Sequence, residues 1–163
     1  MYSVDQYIRS FRHETQISIN LFHKIPPGGL DYRPSPGQRS TLELMRYLSF
    51  GPYNTVRRIV AGDWAQGIPA DQSPSKDMPP SDFPSRMTWQ ANEVERLIRS
   101  VPVTALTHDN FTVPWGLTFK KGEALVELPL KWMTGYRMQL FLYLKAAGAH
   151  HLGTAENWRV PVL

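Results

Sequence analysis

Metal and nucleophilic chemistry in a small protein starts from histidine, cysteine or paired carboxylates, and this chain offers little of each. It has no cysteine, which excludes disulfides, thiolate zinc sites, iron–sulfur clusters and thiol nucleophiles. Its five histidines could in number hold a metal, but their spacing argues against one. His13 and His23 stand ten residues apart on one predicted helix and point in different directions. His108 falls in a mixed segment, and His150 and His151 follow the glycine that closes the last helix. Glu93 and Glu95 face different sides of a helix, while Glu123 and Glu127 share a face that suits a solvated stripe. No glycine-rich phosphate loop, Gly-x-Ser-x-Gly elbow or His-Glu-x-x-His run is present. The reading is of a protein with no metal, no cofactor and no assembled catalytic group.

The formal charge of +4 raises the question of a polyanion partner. The balance is +4 over residues 1–61, −2 over 62–101 and +2 over 102–163. Arg57-Arg58 and Lys120-Lys121 are the adjacent basic pairs. A nucleic-acid site shows a denser stripe on one element, so nucleic acid is not the expected partner. The opening Met1–Gln6 lacks a secretory pattern, and no run of eighteen apolar residues is present to cross a membrane. The expectation is a cytoplasmic protein with a diffuse surface charge.

The 163 residues predict one domain over 1–163. Val4, Tyr7, Ile8, Phe11, Thr15, Ser18, Phe22 and Ile25 recur at three-and-four spacing, predicting a helix over about 2–25 that stops at Pro26-Pro27-Gly28-Gly29. Ser40-Thr41-Leu42-Glu43 has capping-box form and opens a second helix over about 40–61, interrupted at Gly51-Pro52 and stopped at Gly62. Residues 62–84 carry five prolines and form a long connection. Its length suits a crossover between helices that run parallel, since such a chain must travel a full helix length. A third helix spans about 84–101, and a fourth spans 122–147 with a bend at Pro129 and a stop at Gly148. Phe111–Val113 and Leu117–Phe119 suit a small peripheral hairpin, and the tail 149–163 suits irregular packed chain. The fold class is all-α, a four-helix bundle with a long crossover between helices two and three.

The fourth helix reads Leu130–Leu140, then Phe141-Leu142-Tyr143-Leu144-Lys145-Ala146-Ala147-Gly148. With Arg137, Gln139, Tyr143-Leu144 and Gly148 in place, it resembles the final helix of the DinB-like (DinB/YfiT) four-helix bundle superfamily. The Leu30–Gly37 lead-in and the serine-capped second helix are similar to that family too, and the match covers residues 1–148. The resemblance implies a bundle with one long crossover. It also implies three histidines around nickel or zinc, and in some members transfer of a low-molecular-weight thiol to an electrophile. This chain departs at each ligand position: Tyr47 stands at the helix-two histidine, and Trp132 and Tyr136 stand at the two on helix four. Indole has no in-plane lone pair for a metal, and a phenol titrating near about 10 is a poor ligand at neutral pH.

Tyr47, Trp132 and Tyr136 are therefore expected to meet between helices, either filling a vacated metal pocket or walling a pocket for a small organic ligand. Asn54 and Gln139 would line it, while Arg46 and Arg137 would point away as surface residues. Two functions follow. One is a non-catalytic DinB-like protein that binds a small organic molecule or acts as an interaction module, with a homodimer through exposed helix faces. The other is a metal-independent transferase or hydrolase that uses Tyr47 or Tyr136 as proton donor.

Overall fold

The structure, a computed structural model, describes residues 2–66 and 77–159. Pro69, Asp71 and Pro74 of the long connection, and Val160–Leu163 of the tail, lie outside the described residues. Helix α1 (Val4–Phe22) begins at Ser3, whose hydroxyl accepts the Gln6 amide while the Gln6 side chain accepts the Ser3 amide. Helix α2 (Thr41–Leu48) opens on the capping box read from the sequence: the Glu43 amide donates to Ser40 Oγ at 3.2 Å, and the Ser40 amide to Glu43 Oε2 at 2.8 Å. Helix α3 (Gly51–Ala61) follows at once and ends at Gly62, whose φ of 76° is the left-handed cap that glycine adopts without strain.

The break between α2 and α3 falls at Ser49 and Phe50, two residues before Pro52. Pro52 then lies in the first turn of α3, where a missing amide costs nothing. The fully buried side chain of Gln90, on α4 (Phe83–Arg99), repairs the interruption from across the bundle. Its Nε2 donates to the Leu48 carbonyl at 3.1 Å and its Oε1 accepts the Tyr53 amide at 3.0 Å.

Cross-helix contacts give the direction of each helix. Asp5 with Arg99, Arg12 with Glu95 and Phe22 with Phe83 run α1 against α4. Tyr32 with Tyr143, Tyr47 with Tyr136 and Trp64 with Trp132 run the second segment against the last helix. Along α2, α3 and α4 the contacts advance together, from Arg46 at Met78 to Leu48 and Tyr53 at Gln90. The segments joined by residues 62–82 are thus parallel, as the crossover requires.

After α4 come α5 (Val103–His108) and a hairpin of β1 (Asn110–Thr112) and β2 (Thr118–Lys120), with Phe111 opposite Phe119. The expected fourth helix is divided into α6 (Lys121–Leu125), a π-helical turn over Val126–Leu130 that contains Pro129, and α7 (Lys131–Ala146). Proline lacks the amide that a regular turn would use there, and the wider turn absorbs the defect. The tail is less irregular than expected, since Thr154–Trp158 forms the short helix α8 packed on α1.

Two side chains expected on the surface are not there. Arg46 is half-buried and donates from Nε and Nη2 to the Met78 carbonyl at 3.1 and 3.0 Å, closing the α2 end of the crossover. Arg137 is fully buried. Its Nε meets Glu14 Oε2 of α1 at 2.5 Å, its Nη1 donates to the carbonyl and side-chain oxygen of Asn157, and the guanidinium lies 4.7 Å from the Trp158 ring centre. The helical period alone put Arg137 outside; the α8 tail closes over it and makes that face interior.

Two stability predictions follow from these buried polar groups. Gln90→Met keeps the volume but removes the buried bonds to the Leu48 carbonyl and Tyr53 amide, and urea unfolding should show a loss of about 2–4 kcal/mol. Arg137→Met should cost roughly 3–5 kcal/mol because Glu14 is left as an unpaired buried charge. The Glu14→Gln, Arg137→Met double variant should recover part of that loss.

Candidate functional site

Tyr47 leaves the last turn of α2, and Tyr136 leaves α7 opposite it. The break after Leu48 lets α3 begin with Gly51 close beneath the Tyr47 ring. A Cβ at Gly51 would come within 3.2 Å of Tyr47 Cζ, a tight contact that would shift the ring by a few tenths of an ångström. The two tyrosine rings meet edge to face with centroids 4.9 Å apart and planes at 71°, a favoured aromatic geometry. Phe50 packs edge-on against Tyr47 from the interhelical turn at 5.9 Å. The Arg39 guanidinium lies 4.3 Å from the centre of the same ring.

Trp132 shares the α7 face of Tyr136, one turn earlier, but its recorded ring partner is Trp64 at 6.5 Å. Trp64, just beyond the α3 cap, also meets Phe111 at 5.9 Å and the half-exposed Trp115 at 5.2 Å, and Arg58 lies 4.9 Å from its ring centre. The three aromatics singled out in the sequence thus belong to a longer strip running from Arg39 and Tyr47 to Trp64 and the hairpin. Gln139 turns down α7 to donate to the Tyr143 hydroxyl, which places its amide beside Tyr143. Asn54 is buried, and its Oδ1 has no hydrogen-bond partner among the described residues.

Sequence reasoning did not find Arg39, Arg58, Trp64 and Trp115. Trp115 sits in a turn and Trp64 in the crossover, so neither belongs to a periodic face, and only the tertiary fold brings Trp64 to Trp132 and Trp115 to Trp64. Arg39 could have been noticed, since it precedes the Ser40 cap by one residue and must therefore project near the start of α2.

Burial is the main cause that pushes the Tyr47 hydroxyl above the ordinary phenol range, and its contact with the Tyr136 phenol adds to it. Arg39 and Arg58 act in the opposite direction through their positive charge. Tyr47 is therefore a neutral phenol at physiological pH. Nickel or zinc, which the resemblance implies, does not fit this donor set: one position is an indole, and burial resists ionisation of the Tyr47 phenol. Among the described residues no three His, Cys, Asp or Glu side chains are gathered in a way that could hold a metal ion. Of the histidines, His13 Nε2 lies 3.2 Å from the Trp158 carbonyl, His23 packs on Phe22, and His108 Nδ1 lies 2.9 Å from the Thr104 carbonyl. Among the described residues no helix is long and apolar enough to cross a membrane.

The helix order, the parallel crossover and the divided last helix define an all-α bundle of the DinB-like fold. The chain is similar to the crystal structure of a DinB-like protein from Bacillus subtilis (YjoA), with a TM-score of 0.67 over 88% of this chain and 92% of that one, at 15% identity. No protein-family profile matches the sequence, and no curated protein matches it.

The electrostatics of the tyrosine pair can be measured by the carbon-13 shift of Tyr47 Cζ against pH. The phenol should titrate above about 10. Arg39→Ala and Arg58→Ala should each raise it further, and Tyr136→Phe should lower it. Because the folded value is raised, the neutral phenol favours the folded state below the ordinary phenol range, and this contribution fades as pH rises through the folded value.

Proposed function

We propose that this protein is a non-catalytic binding protein built on the DinB-like frame. Its ligand is a planar organic anion held against the Tyr47–Tyr136 pair, with its negative group at Arg39 and Arg58. The observation that carries this reading is the pair of guanidiniums over the aromatic strip. Neither Arg39 nor Arg58 has a carboxylate partner among the described residues, and each lies over an aromatic ring of the strip. Arginine in such a place presents a flat, donor-rich cation that matches a carboxylate, sulfonate or phosphate. The rings beside it offer a stacking face for a planar body. The exposed part of Trp115, packed on Trp64, extends the same strip with further apolar surface.

The alternative, metal-independent transfer or hydrolysis with a tyrosine as proton donor, is less well supported. A general acid works best with a pKa near the operating pH, and the surroundings of Tyr47 move its hydroxyl the other way. No carboxylate or histidine stands among the contacts of the tyrosine pair to relay a proton.

Calorimetric titration with naphthalene-2-sulfonate tests the reading. It should bind saturably and more tightly than neutral 2-naphthol, with affinity falling as salt rises. Arg39→Ala and Arg58→Ala should each weaken it by about tenfold. Equal binding by both arginine variants would refute the site. Stoichiometric nickel or zinc that survives dialysis, or turnover of a thiol with an electrophile, would refute the non-catalytic reading.

A further inference from the structure

A cavity lies apart from the aromatic strip and shares no lining residue with it. It has a volume of about 850 Å³ and is walled by the start of α1, the end of α4, α5 and the stretch from α6 into the π-helical turn. That volume lies within the range of small-molecule sites, roughly 300–1,000 Å³. Its apolar wall is formed by Val4, Ile98, Val103, Leu106, Leu125 and Val126.

Tyr7 stands in this wall, is 3% exposed, and has a hydroxyl with no hydrogen-bond partner among the described residues. A buried hydroxyl in a folded protein is normally paired. Burial, reinforced by the neighbouring Tyr2 phenol, pushes the Tyr7 hydroxyl far above the ordinary range, so it keeps its proton and remains a donor. Tyr2 lies on the cavity wall, half-exposed and ahead of the α1 cap, tethered to Ser10 through its hydroxyl. Its ring can swing outward without disturbing a helix.

Charges around the mouth are already engaged. Asp5 pairs with Arg99 at 3.0 Å and Glu127 with Lys131 at 2.5 Å. Glu123 accepts the Lys120 amide, and Lys120 Nζ donates to the His108 carbonyl and Asn110 Oδ1, each at 2.8 Å. Among the described residues of the rim three carboxylates stand against one lysine, whose ammonium is bound to two neutral oxygens, which separates it from the arginine-bearing strip.

We propose that this cavity binds a neutral, largely apolar molecule carrying a hydrogen-bond acceptor such as a ketone or ester oxygen, which accepts from the Tyr7 hydroxyl once Tyr2 moves aside. The test is competition for the neutral fluorophore N-phenyl-1-naphthylamine on the full chain. The fluorophore should bind saturably, and 2-decanone should displace it better than decane or decanoate. Tyr7→Phe should weaken 2-decanone by roughly fivefold while leaving the affinity of decane unchanged. Val103→Trp, at a position 62% exposed and so outside the packed core, should block the mouth and lower fluorophore affinity. Arg39→Ala, which alters only the aromatic strip, should leave every one of these affinities unchanged. Absence of saturable fluorophore binding, equal displacement by decane and 2-decanone, or a Tyr7→Phe protein that still prefers the ketone would overturn the proposal.

Discussion

The packing of the last helix depends on one buried cation. Arg137 lies wholly inside the protein, and a guanidinium there is tolerable only if its charge and its N–H groups are all met. Glu14 supplies the charge from α1 and Asn157 supplies oxygens from α8, while the Trp158 ring covers the guanidinium face. Together they fix the rotation of α7 about its axis. Tyr136 is the preceding residue, so the same rotation turns it toward α2 and Tyr47. An apolar residue at 137 could pack in that space, but it would not select this rotation over its neighbours. The directional requirements of a guanidinium do select it.

Gln90 plays the matching part for the second segment. A helix broken after Leu48 exposes a carbonyl and an amide to the core, where both are costly if unpaired. One side-chain amide answers both, donor to carbonyl and acceptor to amide. The break in turn brings Gly51 beneath Tyr47, where a side chain would make a tight contact and press the ring by a few tenths of an ångström. The site therefore rests on two buried polar side chains, on α7 and on α4, neither of which belongs to the aromatic strip.

This dependence explains what could be read from the sequence. Periodic stripes, the Ser40–Glu43 cap and the Gly62 stop are local signals, and the helices they predict are present with ends shifted by a few residues. Pro129 announced a bend, and the π-helical turn supplies it. The placement of Arg137, Gln90 and Glu14 was not legible, because a polar residue on a helix is assigned to solvent until another segment covers it. For Arg137 and Glu14 the covering segment is α8, formed by five residues without a long apolar period, and for Gln90 it is the break between α2 and α3. Tyr47 and Tyr136 were legible through their positions in a resembling family. Their partners Arg39, Arg58 and Trp64 were not, since they come from a cap, a helix end and the crossover.

The two candidate sites differ in a way that follows from this architecture. The aromatic strip lies where α2 and α3 meet α7, and the arginines beside it sit near a cap and a helix end, neither in a direct ion pair among the described residues. Its character is flat and cationic. The cavity lies where α5 and α6 leave the bundle, so its walls are core side chains and its rim is made of helix-end charges held in ion pairs or hydrogen bonds. Its character is apolar and neutral, apart from the unpaired hydroxyl of Tyr7. A ligand suited to one would gain little from the other: an anion would meet carboxylates at the cavity mouth, and a neutral apolar chain would draw nothing from the charge of the two guanidiniums of the strip. Selectivity between them is therefore a property of where the bundle places its unpaired polar groups.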